Sequence, residues 1–145
     1  IQRFFLYYNL ALSLVGLIAL ATASLGIVNT MFMSIIERRR EIGIFRALGA
    51  DERQVKFMFL VESGVIGAVG AAIGILFGWL GTRIVSAIIK AYLESEGLPP
   101  FEAFDLPLWL ILLSLAFGTV VSLLAGLFPA RRAARVDPVV ALRAE

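Results

Sequence analysis

The sequence predicts an all-α integral membrane protein, with three transmembrane helices, a short cytoplasmic amphipathic helix between the first two and a short C-terminal cytoplasmic helix. Three observations predict it. The 145-residue chain is 60% hydrophobic and 17% charged, more apolar surface than one small soluble core can hide. Its apolar residues gather in three stretches, each at least as long as the roughly 20 residues a crossing requires. Basic residues accumulate in 37–56 and 129–145, whereas 91–105 is purely acidic. Residues 1–145 therefore read as a single membrane domain.

The first span is 4–36, which contains no charged residue. As a helix it would be on the order of 50 Å long, against a hydrocarbon core of about 30 Å. It either tilts strongly or projects from the bilayer. Phe4, Phe5, Tyr7 and Tyr8 crowd its start, where amphipathic aromatics favour the interface, so its first turns are expected at or above the membrane surface. Asn29 and Thr30 are polar; they can bond across helices or back to their own backbone.

The cytoplasmic segment 37–56, ERRREIGIFRALGADERQVK, follows. Ile42, Phe45 and Leu48 recur at i, i+3, i+6 and share one face of a short helix, with Arg39, Arg40 and Arg46 elsewhere around it. Gly49 is placed to stop that helix. Asp51 then reads as an N-cap, with Gln54 completing a capping box.

The second span is 57–90. Gly70, Gly74 and Gly78 are spaced by four and form a stripe for close helix packing. Glu62 lies near the cytoplasmic end; pairing with a nearby arginine and a place in an ion pathway are both open to it. Arg83 and Lys90 would snorkel at the opposite interface. The outer link 91–105 holds Gly97, Pro99 and Pro100, so it is not one continuous helix. Asp105 can cap the next helix, with Pro107 in its first turn.

The third span is 106–128, with a second small-residue stripe, Gly118, Ser122 and Gly126. Pro129 is expected to end it. In the tail 129–145, Arg131, Arg132 and Arg135 come first, and Asp137 and Pro138 then start a short helix. Under the positive-inside rule 37–56 and 129–145 are cytoplasmic and 91–105 is outside. The first residue is then also outside, and since it is not Met, more chain is expected upstream.

Chemistry is largely excluded by composition. Cysteine and histidine are both absent, so neither a Ser-His nor a Cys-His nucleophile pair can be built. There is no phosphate-binding GxxxxGK[ST] loop, no HExxH and no GxSxG. No cofactor or metal is expected in this chain, and it is read as no enzyme. In a multi-span chain the arginines point to orientation, anionic lipid or a docked partner, not to nucleic acid. Few charges fall inside the spans, which favours transmission of a conformational change over conduction. A small solute channel or carrier is the competing reading.

The stretch 34–55, SIIERRREIGIFRALGADERQV, resembles the cytoplasmic motif of FtsX-like permeases, the MacB-type ABC transporters. Glu37, Arg38, Arg40, Glu41, Ile42, Gly43, Arg46, Ala47, Gly49 and Ala50 match it. Pro129, Ala130, Ala133, Pro138, Ala141, Leu142 and Arg143 match the family's ending. The resemblance implies a protein of the cell inner (cytoplasmic) membrane with four transmembrane helices and a large outer domain after the first. This chain would hold the second to fourth. It also implies a second permease copy, as homo- or heterodimer, and an ABC ATPase, fused or separate, that binds ATP and Mg. Such proteins export macrolides, peptides or toxins, extract lipoproteins, or regulate an outer partner such as a cell-wall hydrolase without transport. Carried over, Arg38, Arg40, Glu41, Ile42, Phe45, Arg46 and Leu48 would dock the ATPase, with Ile42, Phe45 and Leu48 as buried anchors. The plain alternative is an amphipathic helix lying on lipid.

Overall fold

The computed structural model describes residues 2–97 and 106–136. Among them lie four helices and no strand: α1 (Gln2–Glu37), α2 (Arg39–Ala47), α3 (Glu52–Ser95) and α4 (Leu108–Ala134). Three stretches, Arg3–Glu37, Glu52–Ser95 and Leu108–Ala134, are long and apolar enough to cross a membrane. The all-α class is therefore as the hydropathy predicts. The short C-terminal helix and the Asp105 cap lie outside the described residues. At about 1.5 Å per residue, the 36 residues of α1 and 44 of α3 outrun a hydrocarbon layer of about 30 Å.

Two helix ends differ from the sequence expectation. α3 runs beyond Lys90 to Ser95 and closes at Gly97, whose φ of +69° lies in the left-handed region; glycine enters that region without a Cβ clash. α4 does not end at Pro129 but continues through it to Ala134. Proline removes the hydrogen bond to the carbonyl four residues back, that of Ala125, and crowds it. Here Pro129 is fully buried, and Ala130, Ala133 and Ala134 behind it are buried too. Packing of this small-residue face outweighs the local penalty. Pro107 supplies the other terminus, its carbonyl accepting from the N–H groups of Leu110 and Ile111.

The chain divides into two compact units, residues 1–64 with 121–145, and 65–120. In the first unit, α1, α2 and parts of α3 and α4 share a core of Met31, Ile35, Ile42, Val55, Phe59, Ala130, Ala133 and Ala134. The contributions recur every four residues: Met31 and Ile35 on α1, Val55, Phe59 and Ser63 on α3, and Ser122, Gly126, Ala130 and Ala134 on α4. Each helix thus presents one narrow stripe. Small residues let the backbones close in: Ser122 Oγ donates to the Ser63 carbonyl, and a Cβ on Gly126 would collide with the Ser63 side chain. Phe32 of α1 meets two α4 residues one turn apart, Phe128 edge-on at 5.8 Å and the Arg132 guanidinium at 5.6 Å.

In the second unit Gly118 approaches Ala71 so closely that an added Cβ would lie 2.8 Å from the alanine methyl. The two stripes are not equivalent. Gly118, Ser122 and Gly126 meet α3 residues within the chain, whereas no described atom lies within 4 Å of a Cβ built on Gly70, Gly74 or Gly78. Gly74 and Gly78 instead line an apolar groove of about 520 Å³, bounded on α4 by Leu110, Ser114 and Phe117.

Candidate functional site

The densely charged segment folds as an elbow, which we define as residues 38–51. α1 passes into α2 with a single break at Arg38, whose φ and ψ are −101° and 16°. The Arg38 N–H still bonds Ser34, and the Ile42 N–H bonds Arg38, so the bend costs little backbone pairing. α2 then ends on a glycine. Gly49 has φ +98°, its N–H bonds the Arg46 carbonyl, and the Ala50 N–H reaches the Phe45 carbonyl. That pair of bonds is the Schellman pattern, which a left-handed residue at this position makes possible.

α3 starts on a modified capping box. Gln54 Oε1 accepts from the Asp51 N–H at 3.0 Å, the reciprocal half of the box, while Asp51 Oδ1 accepts from Glu52 N–H at 2.7 Å, one residue into the helix. The Gln54 N–H bonds the Asp51 carbonyl instead.

Charges bind the elbow to itself and to α3. Arg38 Nε donates to Glu41 Oε2 at 2.9 Å, and its Nη1 lies 3.9 Å from Glu62 Oε2. Ser34 Oγ donates to the other Glu62 oxygen at 3.3 Å. The hydrogen bond to Glu41 raises the Arg38 pKa above its ordinary value, against an opposing effect of burial, so this guanidinium stays charged. Arg46 Nη1 donates to the Ala50 carbonyl at 3.1 Å, and Nη2 lies 3.6 Å from Glu52. Its Nε is buried with no acceptor among the described residues.

This geometry sorts the seven predicted docking residues into two groups. Arg38, Glu41 and Arg46 make bonds within the chain. Ile42, expected with Phe45 and Leu48 as a buried anchor for the ATPase, is 1% exposed and already covered by the core beneath the elbow. The face it shares with Phe45 and Leu48 turns inward at its first residue and outward beyond it. Phe45 is 48% and Leu48 81% exposed, and Arg40 is exposed as well. Ile44, also exposed, was not picked out from the sequence, because it lies off the i, i+3, i+6 series. Beside Phe45 a shallow apolar hollow of about 130 Å³ opens, walled by Ile42, Ala50, Val55 and Met58. Among the described residues, no three His, Cys, Asp or Glu side chains converge as a metal ion requires.

Comparison with known proteins accords with the three long apolar helices. The FtsX-like permease C-terminal family matches residues 13–138. The chain belongs to this family. As an FtsX-like permease segment it is a membrane protein, and its relatives are transporter permeases. An uncharacterized ABC transporter permease of Methanocaldococcus jannaschii is 38% identical over 90% of this chain and 32% of its own length. The ABC transporter permease YtrF of Bacillus subtilis is 33% identical over 99% of this chain and 34% of its own. The macrolide export ATP-binding/permease protein MacB of Azoarcus is 40% identical over 94% of this chain and 19% of its own. The chain thus spans about a third of the first two and a fifth of the last.

Proposed function

We propose that this chain is the transmembrane permease part of an ATP-driven mechanotransmission ABC transporter, and that α2 is where the partner's motion enters. The observation that carries the reading is the two-sidedness of the elbow. Ile42 fixes α2 into the core shared by α1, α3 and α4, while Phe45 and Leu48 of the same short segment face outward. A push on the outer face is then delivered to three helices together, because a packed core transmits displacement instead of absorbing it.

The partner is an ABC ATPase, fused or separate, which holds ATP and Mg. Phe45 and Leu48 supply apolar anchors and Arg40 an orienting charge. Arg38, Glu41, Ile42 and Arg46 act indirectly, by holding the elbow's shape. The membrane is the inner (cytoplasmic) membrane, with the elbow and the basic end of α4 in the cytoplasm and the start of α1 outside. The open Gly70, Gly74 and Gly78 stripe receives a helix from outside this chain, such as one from a second permease copy. The work performed is export or extraction of a substrate of macrolide, peptide or lipoprotein class on the far side, with an outer partner.

Co-purification with the ATPase tests the docking. Phe45→Asp and Leu48→Asp should each weaken it by roughly 30-fold or more, the effect of losing an interface anchor worth about 2 kcal/mol. Undiminished co-purification with both variants would refute it.

A further inference from the structure

Where α1 leaves its apolar run, a hollow of about 490 Å³ opens between it and the end of α4. Its walls are of two kinds. Phe32, Ile35 and Ile36 belong to the last apolar turns before Glu37, while Arg39, Arg132 and Arg135 lie at the basic boundary. No carboxylate lines it among the described residues, and none of these three arginines is paired to one there. Arg132 is further held by stacking its guanidinium 5.6 Å from the Phe32 ring centre.

We propose that this hollow binds an anionic phospholipid, its phosphate between Arg132, Arg135 and Arg39 and the start of an acyl chain along Phe32, Ile35 and Ile36. The charge argument is direct: guanidinium forks match phosphate oxygens, and three lie together without a counter-charge among the described residues. The depth argument is independent of it. The apolar wall continues the membrane-spanning part of α1, so a group bound at the arginines sits at headgroup level with hydrocarbon beside it. Basic pockets between helices at the cytoplasmic boundary are where such headgroups bind. A soluble phosphate would use the arginines but leave the apolar wall uncovered. The inference does not depend on α2 docking, since Phe45 and Leu48 are not among the residues that form the hollow.

The test uses the intact permease in lipid nanodiscs. Trp79, Trp109 and any tryptophan outside these 145 residues are replaced by Phe, and the exposed Ile36 is replaced by Trp as reporter. Quenching by phosphatidylglycerol brominated in its acyl chains is compared with quenching by brominated phosphatidylcholine. The expected result is a clear preference for phosphatidylglycerol that falls roughly fivefold for each arginine neutralised in Arg39→Gln, Arg132→Gln and Arg135→Gln. Arg132→Lys should retain much of the preference, which separates loss of charge from misfolding. Arg83→Gln, at the other end of α3, should not alter it. Equal quenching by both lipids, or a preference untouched by the three neutralisations, would overturn the proposal. So would abolition of the preference by inorganic phosphate, which would make this a site for a soluble anion. Loss of ATPase co-purification in the neutralised variants, with the lipid preference intact, would make it a protein contact and overturn it equally.

Discussion

Arg38 and Glu62 meet across the elbow, the Nη1 of one 3.9 Å from the carboxylate of the other, while Ser34 holds the second carboxylate oxygen. The contact links the bend between α1 and α2 to α3, about three turns into that helix. Both side chains are partly exposed, so the pair contributes no more than about 1 kcal/mol of stability. Its value lies in geometry. Arg38→Ala and Glu62→Gln should shift the melting temperature of the detergent-solubilised protein by only a few degrees. On the function proposed above, they should nevertheless lower the coupling of ATP hydrolysis to transport. The raised Arg38 pKa means its share of the contact is present at all lower pH and is lost only under strongly alkaline conditions. A loss of coupling that tracks Arg38 titration near neutrality would contradict this.

The two glycine stripes should respond oppositely to bulk. Gly126→Leu drives a side chain into Ser63, and overpacking of this kind costs about 1–3 kcal/mol. Gly74→Leu enters open space in the chain and should leave the melting temperature unchanged while, on the pairing proposed above, weakening cross-linking between two permease copies. Equal destabilisation by both would mean that the open stripe is filled within the chain.

Phe59 is fully buried at the centre of the first unit. Phe59→Ala should destabilise by about 3–5 kcal/mol, read as an earlier thermal transition in detergent. Phe57→Ala, two residues away and 68% exposed, should change it little.

Features with local causes were legible in the sequence. Gly49 as a stop and Asp51 with Gln54 as a start follow from backbone geometry and short side-chain bonds, and both occur. The three apolar runs and the short helix between the first two were equally plain. Pro129 was misread because propensity carries no knowledge of partners. Its cost is local, whereas what offsets it is burial of Pro129, Ala130, Ala133 and Ala134 against distant residues. The burial of Ile42 within the chain was hidden from the sequence for a related reason. Periodicity places residues on a common face, but only packing decides whether that face meets the chain itself or a partner. The resemblance places Arg46 among the docking residues, and its bond to the Ala50 carbonyl depends on the tight turn at Gly49.

The central claim is that α2 receives a partner through Phe45 and Leu48 while held from beneath by Ile42. The 145 residues contain no cysteine, so single cysteines introduced here meet no background from this segment, and any cysteine elsewhere in the transporter is first replaced by serine. Phe45→Cys, Leu48→Cys and Ile42→Cys would each be placed in the intact transporter and oxidatively cross-linked to cysteines scanned across the ATPase surface. The account predicts disulfide-linked permease–ATPase products from positions 45 and 48 and none from position 42. Products from position 42 as abundant as those from 45 and 48, or none from 45 and 48 while other cytoplasmic positions react, would contradict it.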